Sequence, residues 1–130
     1  MTAAEGPTLR LEVSADPRLL RILRLVASGM ASLGDFDLAS VEEARVAVDE
    51  LGATLIAAST GNPIALTFEL VDGLLSIEGQ TTLGDGQELE VDPLTDRILD
   101  VVATQHEWST TDGVARGRIE KVASTAVVSP

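Results

Sequence analysis

The sequence predicts an α+β two-layer sandwich, an antiparallel-rich mixed sheet covered on one face by about three helices. Three observations predict it. Short segments of period-two alternation are interleaved with three helical patterns. Two Asp-Gly pairs, Asp72-Gly73 and Asp112-Gly113, each sit between alternating segments as hairpin turns. The 130 residues carry 45% apolar content, enough for one core without disulfide or metal staples. A single domain over 1–130 is therefore expected, with a folded core at about 8–122 and a tail at 123–130.

Thr8 to Ser14 (TLRLEVS) alternates apolar and polar residues and suits a half-buried strand. Asp16-Pro17 then opens a helix, with Asp as cap and Pro in the first turn. Leu19, Leu20, Leu23, Val26, Ala27 and Met30 form its apolar face, and it ends near Gly34. The second helix spans Val41 to Ser59, with Ser40 as N-cap and Glu43 completing a capping box. Val41, Ala44, Val48, Leu51, Leu55 and Ala58 make a core-facing stripe, and Gly61-Asn62-Pro63 stops the helix. Strands Ile64 to Leu70 and Leu74 to Gly79 follow, joined at Val71-Asp72-Gly73. Thr81 to Asp92 reads as a polar loop of about a dozen residues, longer than a compact domain usually needs. Pro93 begins a third helix with Leu94, Ile98, Val101 and Val102 inward. A second hairpin, His106 to Thr111 and Val114 to Val122, closes the order βααββαββ.

The formal charge of −12 is unevenly spread. No Lys or Arg lies between Arg45 and Arg97, whereas that stretch holds ten acids, Asp49, Glu50, Glu69, Asp72, Glu78, Asp85, Glu88, Glu90, Asp92 and Asp96. Such a segment repels nucleic acid and free nucleotide and steers a basic partner, although acidic surface also simply aids solubility. With only three aromatic residues, stacking on nucleic-acid bases is not expected. The absence of cysteine removes disulfides, thiolate zinc sites and a cysteine nucleophile, and suits a reducing cytoplasm. No stretch approaches the length of a membrane span, and MTAAEGPT lacks the regions of a signal peptide, so a soluble, cytoplasmic protein is expected.

Several side chains stand out. Glu50 flanks the apolar stripe of the second helix, where a carboxylate is disfavoured unless solvated or paired; on spacing alone it is an exposed helix residue. Arg18, Arg21 and Arg24 recur every three residues on the first helix and form a drifting basic stripe, either a solvated face or a partner-binding surface. His106 is the only histidine, which excludes a multi-histidine metal site, and a strand or loop role is expected for it. Trp108 is read as a core or edge-strand packing residue.

The element order, AVDELGATLIAAS in the second helix, and LTDRILDVVATQHEWSTTDGVARGRIEK near the end resemble the bacterial anti-sigma factor serine kinases. These are small members of the GHKL ATPases, which share the Bergerat (histidine kinase-like ATPase) fold. The likeness runs from Leu9 to about Val122. It implies a Glu, Asn, His helix motif with the Glu as base and the Asn on magnesium; here Glu50 matches the first position, while Thr54 and Ala58 occupy the others. It implies an adenine-binding aspartate at the end of a central strand, where this chain has Gly79 within Glu78-Gly79-Gln80-Thr81. Gly84-Asp85-Gly86 lies downstream and is read as a chance match. It also implies a glycine-rich lid, where this chain has Gln87-Glu88-Leu89-Glu90-Val91-Asp92. ATP and Mg enter by resemblance only, and with all three motifs altered no cofactor is expected. The resemblance further implies partner switching between an RNA polymerase sigma factor and a STAS-domain anti-anti-sigma protein, and a homodimer. Two alternatives stay open: an active serine/threonine kinase acting on the STAS-domain antagonist, and a non-catalytic binding module with another protein client.

Overall fold

The computed structural model describes residues 6–124. Its elements are β1 (Thr8–Val13), α1 (Leu20–Leu33), α2 (Leu38–Ala58), β2 (Ile64–Val71), β3 (Leu74–Thr82), α3 (Pro93–Val102), β4 (Gln105–Thr111) and β5 (Val114–Val122). A short 3-10 turn, Pro17–Leu19, precedes α1. The five strands form one sheet in the order β1-β2-β3-β5-β4. Every pairing is antiparallel, so the expected mixed sheet is instead purely antiparallel. Of the expected tail, 125–130 lies outside the described residues.

Both hairpins turn where the sequence places them. Asp72 and Gly73 have φ of 50° and 76°, Asp112 and Gly113 of 52° and 76°. Left-handed values at both central positions give the twist that antiparallel strands need, and an Asp-Gly pair reaches them with least strain.

Alternation along the strands divides the sheet into a buried face and an open one. Ile64, Leu66, Phe68 and Leu70 of β2, Leu75 and Ile77 of β3, and Ala115 and Ile119 of β5 point into the core. The opposite face carries rows of polar side chains in register, among them Arg10, Thr67, Glu78, Arg118 and Glu107 across all five strands. Arg118 there reaches Glu120 at 3.1 Å, Ser76 Oγ at 3.3 Å and Glu78 at 3.7 Å. The helices cover only the apolar face.

α2 is the centre of the helix layer, packed against α1, α3 and the sheet. Its buried surface is wider than the expected stripe, since Ser40, Ala47 and Gly52 are buried beside Ala44, Val48, Leu51, Leu55 and Ala58, while Val41 is half-buried. Two glycines seat it on the sheet. Gly79 and Gly117 face each other across β3 and β5. A Cβ added at Gly79 would meet Leu55 Cδ1 at 2.6 Å, and one at Gly117 would meet Leu51 Cδ1 and the Trp108 ring, both at 2.5 Å. On the other side of α2, a Cβ at Gly52 would meet Leu20 at 2.8 Å and Leu23 at 3.0 Å of the α1 segment.

Two sequence expectations are corrected. The cap of α2 is Asp37, whose carboxylate accepts from the Ser40 backbone N–H at 2.8 Å; Ser40 lies inside the first turn and is buried. Both residues suit a cap, and burial of Ser40 against the core decides between them. In α3 the inward residues are Thr95 and Leu99, with Val102 half-buried, whereas Leu94 is 60% and Val101 76% exposed and Ile98 is half-buried. The helix is rotated because Thr95 bonds to α2 and Asp96 to β4, interactions that an apolar-periodicity reading does not contain.

Alanine at Gly117 is expected to destabilise the fold by about 1–3 kcal/mol through overpacking, and more than alanine at Gly79, where only the flexible end of Leu55 must yield. Urea unfolding of the two variants checks the order. The Asp37 carboxyl is held below its ordinary range, chiefly by the Ser40 backbone N–H and then by its side chain. Its capping contribution is therefore present above the unfolded carboxyl value of about 4 and lost as pH falls through the lower folded value. Asp37→Ala should lower the unfolding midpoint at neutral pH, and its difference from wild type should shrink below about pH 4.

Candidate functional site

The candidate residues from the sequence fall in two places. Glu50 and Thr54 lie one turn apart on α2, Gly79 lies in the sheet beneath that helix, and the arginines lie on the far side of the helix layer on and before α1.

Glu50 is half-buried, not an exposed helix residue. Its Oε1 accepts from the Thr95 hydroxyl at 2.9 Å, tying α2 to α3. Thr95 is buried, and this bond supplies the partner its hydroxyl needs. The carboxylate of Glu50 thus acts as an inter-helix acceptor. Thr54 is also half-buried, one turn further along α2.

Gly79 does not end a strand. β3 continues through Gln80 and Thr81 to Thr82, and Gly79 sits within it beneath Leu51 and Leu55. The following segment is shorter than expected and is pinned rather than free: Leu83 is buried and its N–H donates to Gly113 O at 2.7 Å, while Leu89 packs against the core. Gly86, Gln87, Glu88 and Glu90 border a surface depression with Ala57 and Ala58 at the C-terminal end of α2.

The residues at these positions do not fit Mg·ATP. The space that a side chain at position 79 would need is filled by Leu51 and Leu55. The depression offers Glu88 and Glu90 to the phosphates, with no Lys or Arg on its border. Among the described residues, no group of three or more His, Asp or Glu side chains is placed to hold a metal ion.

A polar network at the α3–β4 contact was not legible in the sequence. Asp96 Oδ1 accepts from Trp108 Nε1 at 3.0 Å and lies 3.2 Å from His106 Nε2, while His106 Nδ1 faces Asp100 at 3.7 Å. Trp108 itself packs on the edge strand against Gly117, as its packing role requires. The signal available was the four-residue spacing of Asp96 and Asp100, which puts both carboxylates on one side of α3. These are orienting contacts between elements.

The three arginines have different surroundings. Arg18, 90% exposed, bonds back to Asp16, the cap of its own turn, at 2.6 Å. Those bonds from the Arg18 guanidinium and backbone N–H hold the Asp16 carboxyl below its ordinary range and raise the guanidinium's own value. Arg24 pairs with Asp49 and links α1 to α2. Arg21 is exposed and has no hydrogen bond or ion pair within the described residues. Around Arg18 and Arg21, Ile22 and Leu25 are exposed, and α1 contains no acid. The structure thus brings Arg18 and Arg21 to an open, partly apolar surface and assigns Arg24 to packing.

A double-mutant cycle with Glu50→Ala and Thr95→Val, read by chemical denaturation, is expected to give a coupling of about 1 kcal/mol, the value of a partly solvated hydrogen bond to a carboxylate. Comparison with models of known protein families and with curated proteins finds no match to this chain in either.

Proposed function

We propose that this chain is an anti-sigma-factor-like regulator of Bergerat-type architecture that acts by protein–protein binding and partner switching, without nucleotide chemistry. The observation that carries the reading is the α1 surface: exposed Arg21 and Arg18 beside exposed Ile22 and Leu25, in a chain of charge −12. Exposed apolar side chains with planar multidentate cations are the composition of a binding surface rather than of a solvated helix face. An acidic segment of the partner, a sigma factor or a STAS-domain protein, is the complement such a surface selects. A homodimer and a cytoplasmic location belong to the same proposal. Among the described residues no helix is long and apolar enough to cross a membrane.

The former nucleotide positions support the non-catalytic form of this reading. Glu50 serves α3 through Thr95, Gly79 is roofed by leucines, and the segment at the lid position is acidic and anchored at Leu83 and Leu89.

Two measurements check the proposal. Calorimetric titration with ATP·Mg is expected to give no heat of binding, and micromolar affinity would overturn the non-catalytic reading. Arg18→Ala with Arg21→Ala should weaken binding to the sigma factor or STAS partner at least about tenfold while leaving the melting temperature within about 2 °C, since neither residue ties α1 to the core. Unchanged partner affinity in that double variant would refute the α1 assignment.

A further inference from the structure

A second surface, on the α3 side of the helix layer, has the opposite chemistry. Val46, Glu50, Ala53 and Ala57 recur along α2 at steps of four, three and four, so they share one side of that helix. Glu50 is bonded to Thr95, which places that side along α3. Next to Thr95, Leu94, Ile98 and Val101 recur at four and three and form the outward stripe of α3. Val46 is exposed, as are Ala53 and Ala57. Two largely apolar rows thus flank a groove between α2 and α3. Ala57 also borders the depression rimmed by Glu88 and Glu90, so the groove runs on into an acidic end.

The charge around it is one-sided. Asp85, Glu88, Glu90 and Asp92 are all exposed in the segment leading into α3, which holds no cation. A groove of this form, apolar along both sides and acidic at one end, matches a helix laid in by its apolar side with cations on its flanks.

We propose that the groove between α2 and α3, lined by Val46, Ala53, Ala57, Leu94, Ile98 and Val101, docks an amphipathic helix of another protein that carries Lys or Arg beside its apolar face. The inference rests on the reading of the chain as a protein-binding module, and on neither the sigma factor nor the α1 arginines. Symmetric docking of this face on that of a second copy is disfavoured, because both would bring acidic rims together.

The test uses the full chain and a fluorescently labelled Leu/Lys amphipathic peptide of about four helical turns, with a Leu/Glu peptide of the same pattern as control. Anisotropy titrations are run on wild type, on Leu94→Ser with Val101→Ser, and on Arg18→Ala with Arg21→Ala. The substituted leucine and valine are largely exposed, so the folded state is retained, as circular dichroism and the melting curve verify. The expected result is binding of the Leu/Lys peptide alone, weaker at high salt, reduced at least about tenfold by the Leu94 and Val101 changes and unchanged by the arginine changes. Absence of binding, equal binding to the Leu94/Val101 variant, or equal binding of the Leu/Glu peptide would each overturn the proposal. Sedimentation of wild type as a dimer that the Leu94/Val101 variant loses would overturn it too, by showing a second copy in the groove. Any of these would leave the α1 reading standing, because that reading is judged by the arginine variant against its own partner.

Discussion

The close approach of α2 to the sheet is the constraint on which the other contacts depend. Gly79 and Gly117 lie opposite each other on adjacent strands, and the space that two side chains would occupy is taken by Leu51 and Leu55. Both leucines are fully buried, each contributing about 1.5–3 kcal/mol of transfer free energy. Gly52 admits Leu20 and Leu23 on the other side, so α2 is seated by small residues on two of its faces. Once α2 is fixed, Glu50 reaches Thr95 and Glu43 reaches Lys121 of β5 at 2.9 Å. Trp108, beside Gly117, then hands its N–H to Asp96 and fixes α3 against β4. The rotation of α3 follows from these polar contacts.

The electrostatic organisation has the same origin. Some of the cations at the ends of the sequence close onto acids, as Arg24 does on Asp49 and Lys121 on Glu43, while Arg18 and Arg21 remain on the outer side of α1. The acids of the middle segment lie mostly in loops and on α3, with Arg97 the one cation close to them in sequence. The helix layer therefore carries basic character at its α1 edge and acidic character at its α3 edge.

What was legible in the sequence was local. The Asp-Gly turns, the Asp16 and Pro17 helix start and the alternation of β2 depend on nearest neighbours and were read correctly. The capping of α2 was misread because Asp37 and Ser40 are equally good caps, and only the packing of Ser40 separates them. The orientation of α3 was misread because its apolar stripe is not its buried one: Thr95, a polar residue, turns inward to a carboxylate 45 positions away. Gly79 drew attention as the place of a missing aspartate, while its role as a seat for Leu55 requires knowing which helix lies above it. Spacing alone reads Glu50 as an exposed helix residue, whereas it is half-buried and its partner is a threonine of the protein itself.

The glycine pair also works as a key for strand alignment. Slipping β5 by one residue relative to the buried face would turn Arg116 and Arg118 toward Leu51 and expel Ala115 and Ile119 into water. A slip of two residues keeps the faces but brings Ala115 or Ile119 opposite Gly79, and the hollow that receives the leucines is no longer shared between the strands. The correct alignment is the one in which both vacancies coincide. A pair of absent side chains thereby specifies the pairing of two strands that are more than thirty residues apart in the chain.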